Sequence, residues 1–135
     1  MSARILIVDD NPTNLKLAAD VLEMKGYTVE KAVHAEQAQD MLEHATPDLI
    51  LMDIGLPGMD GLALTRKLKA DPRFRRVPIV ALTAFAMKGD EQKATEAGVD
   101  GYITKPIDTR RFAAQVAAHL GRGSGRPRPV EPISE

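Results

Sequence analysis

The sequence predicts an α/β protein with a parallel sheet flanked by helices, on three observations. Short, continuously apolar runs such as Ile5-Leu6-Ile7-Val8 and Leu49-Ile50-Leu51-Met52 recur along the chain, as in strands covered on both faces. Segments with apolar residues at helical spacing separate these runs. The strand-helix alternation repeats five times, and right-handed crossovers then place helices on both sides of the sheet.

Strand candidates are 4–9, 27–33, 48–53, 78–83 and 100–104. The 27–33 run is more polar than the others and reads as an edge strand. Pro12 suits the first turn of a helix. Leu15, Ala18 and Leu22 then form its inward stripe, and Gly26 can end it with positive φ. Ala38, Met41, Leu42 and Ala45 mark a second helix, which must stop before Pro47. Asp60 can cap a third, in which Leu64 and Leu68 are i, i+4. A fourth, at about 88–97, is the least apolar. Asp108 can cap a fifth, with Phe112, Val116 and Leu120 facing inward. From Gly121 onward glycine, proline and arginine dominate, so 121–135 reads as a flexible tail or linker after a single domain of 1–120.

Composition narrows the function. A chain of 135 residues can bury about two-thirds of its unfolded surface, enough for a proper core. A net charge of −1 favours neither nucleic acid nor a membrane surface as partner. Without cysteine, disulfides, thiolate metal sites and cysteine nucleophiles are excluded. No apolar stretch approaches the roughly 20 residues of a membrane span. Met1-Ser2-Ala3-Arg4 runs straight into a strand with no room for a signal peptide, so a cytoplasmic location is expected.

The chemistry gathers at the carboxyl ends of the strands, the rim where open α/β sheets place their ligands. The first strand ends in Asp9-Asp10, the third in Asp53, the fourth in Thr83, and the fifth is followed by Lys105-Pro106. If the first and third strands are neighbours, three carboxylates converge and repel one another unless a cation lies between them. Such a group suits a hard ion such as Mg²⁺, with Mn²⁺ as an acceptable substitute. A carboxylate can also act as a nucleophile toward phosphorus, and a lysine and a hydroxyl can hold the phosphoryl oxygens.

These pieces together resemble the receiver domain of two-component response regulators, the CheY-like family. The matching residues are Val8-Asp9-Asp10-Asn11, Leu51-Met52-Asp53 through Asp60-Gly61, Leu82-Thr83-Ala84 and Tyr102-Ile103-Thr104-Lys105-Pro106. The likeness covers about 1–120. The stretch Thr83-Ala84-Phe85-Ala86-Met87-Lys88-Gly89-Asp90-Glu91 is most similar to single-domain DivK-type receivers and to receivers attached to hybrid histidine kinases. The resemblance implies a flavodoxin-like (βα)5 fold with strand order 2-1-3-4-5. It implies phosphorylation of Asp53, with Asp10, Asp9 and the Gly55 backbone carbonyl around Mg²⁺. Lys105 would pair with the phosphoryl group, joined to Pro106 by a cis bond. Thr83 and Tyr102 would act as the switch. The implied donor is a histidine kinase or a histidine phosphotransfer protein, and the implied output is a protein effector docked on about 88–120. No direct nucleic-acid or membrane partner is expected. The chain would be a monomer or a phosphorylation-dependent dimer, and not a turnover enzyme. Neither Gly55 nor Phe85 can orient water, so the phosphorylated form should persist; a half-life of seconds would contradict this.

Three alternatives stand beside that reading. The chain could be a receiver fragment of a hybrid histidine kinase or larger regulator. It could be an interaction module that takes no phosphate, although the complete acceptor, metal, threonine and lysine set argues against this. A haloacid dehalogenase-type phosphatase needs a second Asp two residues after the nucleophile, where this chain has Gly55. The basic stretch 66–76 reads as a solvated helix end and loop. His34, His44 and His119 are expected away from the rim, without function.

Overall fold

The structure, a computed structural model, describes residues 3–53, 61–83, 95–104 and 107–122. Five strands, β1 (Arg4–Val8), β2 (Thr28–Ala32), β3 (Leu49–Asp53), β4 (Ile79–Thr83) and β5 (Gly101–Thr104), form one sheet. All pairings are parallel and the order is β2-β1-β3-β4-β5. The helices are α1 (Pro12–Met24), α2 (Ala35–His44), α3 (Gly61–Lys69) and a C-terminal helix (Phe112–Arg122). Among the described residues, no helix is long and apolar enough to cross a membrane.

The continuous apolar runs are explained by a core on each face. Leu6, Val8, Ile50 and Met52 pack with Ala38 and Leu42 of α2 and Leu64 and Leu68 of α3. Their neighbours Ile5, Ile7, Leu49 and Leu51 point the other way, onto Leu15, Ala18 and Leu22 of α1 and Phe112 and Val116 of the C-terminal helix. Each fully buried aliphatic side chain contributes about 1.5–3 kcal/mol. With both faces covered, every residue of β1 after Arg4 and of β3 before Asp53 is buried and apolar. β2 is an edge strand and is the more exposed for it.

Most helix limits fall as the sequence suggests. Pro12 opens α1, and Gly26 takes φ 94° just beyond it. Ala45 is the cap after α2 and not part of its stripe. Asp108 precedes the C-terminal helix, its carboxylate accepting from the Arg110 N–H and its carbonyl from the Arg111 and Phe112 N–H groups. Of the expected fourth helix only residues 95–97 are described, and they are helical. Gly121 and Arg122 of the expected 121–135 tail belong to the C-terminal helix, and Asp60 and 123–135 lie outside the described residues.

Candidate functional site

β1 and β3 are adjacent, with Val8 opposite Met52. The next residue on each strand is therefore an acid, Asp9 beside Asp53. Both are buried, at 1% and 7% exposure, whereas Asp10 is exposed. One carboxylate oxygen from each of Asp9, Asp10 and Asp53 lies within 4.8 Å of the others. Two ligands of an octahedral Mg²⁺ stand at most about 4.2 Å apart, so a small closure, or water on one arm, fits these oxygens to such an ion. Negative charges this close repel, and the two buried ones are poorly screened. The donor set thus fits a hard divalent cation.

The backbone holds this arrangement. The Asp9 N–H donates to the Ala32 carbonyl at 3.0 Å, extending the β1–β2 ladder to the rim. Asp9 Oδ1 accepts from the Asn11 N–H at 2.9 Å. Asn11 caps α1, its Oδ1 accepting from the Thr13 and Asn14 N–H groups at 2.9 and 3.2 Å. The cap of α1 is therefore the asparagine, and neither Asp9 nor Asp10 is spent on that task.

Thr83 ends β4 opposite Thr104 of β5, and Lys105 comes next in the chain. The side chain of Thr83 and all of Gly55, Phe85, Lys105 and Pro106 lie outside what the structure describes. Tyr102 is half-buried in β5, and its hydroxyl hydrogen-bonds Thr95 Oγ1 at 2.5 Å. His34 departs from expectation. It lies two residues past Ala32, at the carboxyl end of β2 and not away from the rim, and its Nδ1 caps α2 by accepting from the Gln37 N–H at 3.0 Å. His44 Nδ1 lies 2.9 Å from the Asp40 carbonyl oxygen, and His119 packs on Gly101 at the opposite end of the sheet. The basic stretch is exposed at Arg66, Lys67, Arg73, Arg75 and Arg76, as expected of a solvated helix end and loop. Arg73 lies over the Phe74 ring and pairs with Asp71 and Glu43. Its hydrogen bonds hold the Asp71 carboxyl below the usual range and push the guanidinium up.

An open parallel sheet ordered 2-1-3-4-5, with acids converging where β1 and β3 part, defines a flavodoxin-like protein with its site at the topological switch point. The sequence profile of the response regulator receiver domain matches residues 5–117, and the chain belongs to that family, a signalling module of two-component systems. It is 43% identical over 121 residues to the polar-differentiation response regulator DivK of Brucella anthropi, covering 90% of this chain and 98% of that protein. Among solved structures, the receiver domain of a signal transduction histidine kinase from Syntrophus aciditrophicus is 36% identical with TM-score 0.83, over 99% of this chain and 98% of that one. The receiver domain of a sensor histidine kinase from Pseudomonas aeruginosa, with magnesium coordinated in its active-site cleft, is 36% identical with TM-score 0.82, over 90% and 99%. Receivers of this family work with histidine kinases and downstream effectors.

Proposed function

We propose that the chain accepts a phosphoryl group on Asp53 from the phosphohistidine of a histidine kinase or a histidine phosphotransfer protein. A carboxylate oxygen of Asp53 attacks phosphorus as the P–N bond breaks. The electron pair leaves with the imidazole nitrogen, which takes up a proton, and an aspartyl phosphate remains. The observation that carries this reading is the convergence of Asp53 with Asp9 and Asp10 at the end of β3. Mg²⁺ or Mn²⁺ bound there would neutralise charge on the phosphoryl oxygens. Asp9, Asp10, Asp53 and the Gly55 backbone carbonyl would hold it. The magnesium in the cleft of the related Pseudomonas receiver domain supports this assignment.

Lys105, just past β5, would meet a phosphoryl oxygen, and the family resemblance implies a cis bond between it and Pro106. Thr83 hydrogen-bonds another, and Tyr102 leaves Thr95 to follow it. The two states differ in the surface over about 88–120, where a protein effector docks. A few kcal/mol between them is enough to change which surface is displayed. The unit comprises about 1–120 and the end of the C-terminal helix at Arg122, with the rest of 121–135 as tail, acts in the cytoplasm, and performs no multiple-turnover chemistry. Its likeness to receiver domains of histidine kinases also favours a second setting, attachment to a hybrid kinase, with the same chemistry at Asp53.

The test is incubation with acetyl phosphate and Mg²⁺, read by intact mass. One phosphoryl adduct should form and be lost with chelator. No adduct from acetyl phosphate or from a phosphorylated histidine phosphotransfer protein would leave the interaction-module reading.

A further inference from the structure

Outside the acidic cluster, Gly61 stands against the Asp53 backbone, and Thr65 bonds to Gly61. The chain returns to the end of β3 at Gly61, the first residue of α3. A Cβ on Gly61 would overlap the Asp53 carbonyl oxygen and stand 2.9 Å from Met52 Cγ. Only glycine lets the first turn of α3 close directly onto the Asp53 peptide group. The Gly61 carbonyl is held as well. Thr65 Oγ1 donates to the Gly61 carbonyl at 2.8 Å, and Thr65 is fully buried.

A hydroxyl bonding back to the i−4 carbonyl is ordinary in helices and by itself indicates nothing. The position of this one gives it meaning. The carbonyl it holds belongs to the residue in contact with the acceptor, and no exposed surface of Thr65 lets water substitute. Valine would fill the same space without a hydroxyl to satisfy. Reactions of this kind are sensitive to placement: catalytic groups must be held within about 0.5 Å, and about 1 Å of displacement can cost about a hundredfold in rate.

We propose that Thr65 is a positioning residue for phosphoryl acceptance: its hydroxyl pins the Gly61 peptide, and Gly61 sets where the Asp53 carboxylate stands against Asp9 and Asp10. This rests on the reading of Asp53 as acceptor. Through Asp53, the position of α3 is coupled to the acidic cluster.

Thr65→Val and Thr65→Ser test it in the full chain. Magnesium affinity is measured by calorimetry and adduct formation from acetyl phosphate by intact mass, well below every variant's unfolding midpoint. The valine variant should lose about three- to tenfold in both, and serine should restore both to within about twofold of wild type. A valine variant with wild-type affinity and rate overturns the proposal even if its Tm falls. Equal losses in both variants also overturn it, because the hydroxyl would not be the cause. Gly61→Ala should cost more than Thr65→Val in both readouts; if it does not fold, the valine and serine pair decides. A wild-type chain that binds Mg²⁺ but forms no adduct removes the acceptor reading, while the affinity comparison still judges whether Thr65 positions Asp53.

Discussion

The two ends of the sheet use aspartate in opposite ways. At the amino ends of the strands, Asp48 and Asp100 serve the fold. The Arg4 N–H donates to Asp48 Oδ2 at 2.8 Å, while the Asp48 N–H donates to the Arg4 carbonyl at 2.7 Å. The same clasp recurs between β4 and β5: the Ile79 N–H donates to Asp100 Oδ2 at 2.8 Å, and the Asp100 N–H to the Ile79 carbonyl at 2.7 Å. Lys69 Nζ completes the second clasp, donating to Asp100 Oδ2 and the Val77 carbonyl at 2.9 Å each and to the Arg75 carbonyl at 3.2 Å. At the carboxyl ends, Asp9, Asp10 and Asp53 are brought within reach of one another. One end ties each carboxylate to the backbone of a neighbouring strand. The other brings three carboxylates together, and like charges repel there unless a cation is received.

The contrast is sharpest in substitutions that remove one acid from each end. Asp10→Asn should weaken Mg²⁺ binding by about tenfold or more, since even indirect partners of a metal site are worth that much. Without metal, the same variant should melt at the wild-type temperature or slightly above it, by up to about 1 kcal/mol of relieved repulsion. Calorimetric titration and thermal melts in chelator check both, and a metal-free Asp10→Asn less stable than wild type would break the comparison. Asp100→Ala should do the reverse. It leaves the buried Ile79 N–H without its acceptor and strips Lys69 of its carboxylate, at a cost of about 2 kcal/mol, with Mg²⁺ affinity unchanged.

The smallest effect belongs to the exposed Asp71–Arg73 pair. The Asp71 carboxyl is lowered by its hydrogen bonds from Arg73, so its contribution to stability is present above about pH 3.8 and is lost as pH falls through the lowered native value. Asp71→Asn should therefore melt slightly below wild type at neutral pH, and the two curves should converge in acid and at high salt.

The carboxyl-end site was more legible in the sequence than the amino-end clasps. Asp9, Asp10 and Asp53 stand out because each follows an apolar run, and a parallel sheet sends all such ends to one rim. The two buried faces were legible for a related reason, since strands covered on both sides leave no room for polar residues. Asp48 and Asp100 show no such signal. Their partners, Arg4 and Ile79, are distant in sequence and are set only by strand register. Lys69 reads in sequence as one more charge in a basic stretch, yet its ammonium is tied down at the base of the sheet. Asn11 and His34 were obscured as caps, one by the acids before it and the other by the many roles open to histidine. Thr65 looks like any helical threonine until α3 is seen to start against Asp53.

The most direct test of the central claim asks which of the three carboxylates takes the phosphoryl group. The chain is phosphorylated with acetyl phosphate and Mg²⁺, then reduced with borohydride, which converts an aspartyl phosphate to homoserine, and the peptides are mapped. Homoserine at position 53, and none in the Asp53→Asn variant, is the predicted result. Homoserine at Asp9 or Asp10 in the wild-type chain, or an undiminished adduct in Asp53→Asn, would contradict it.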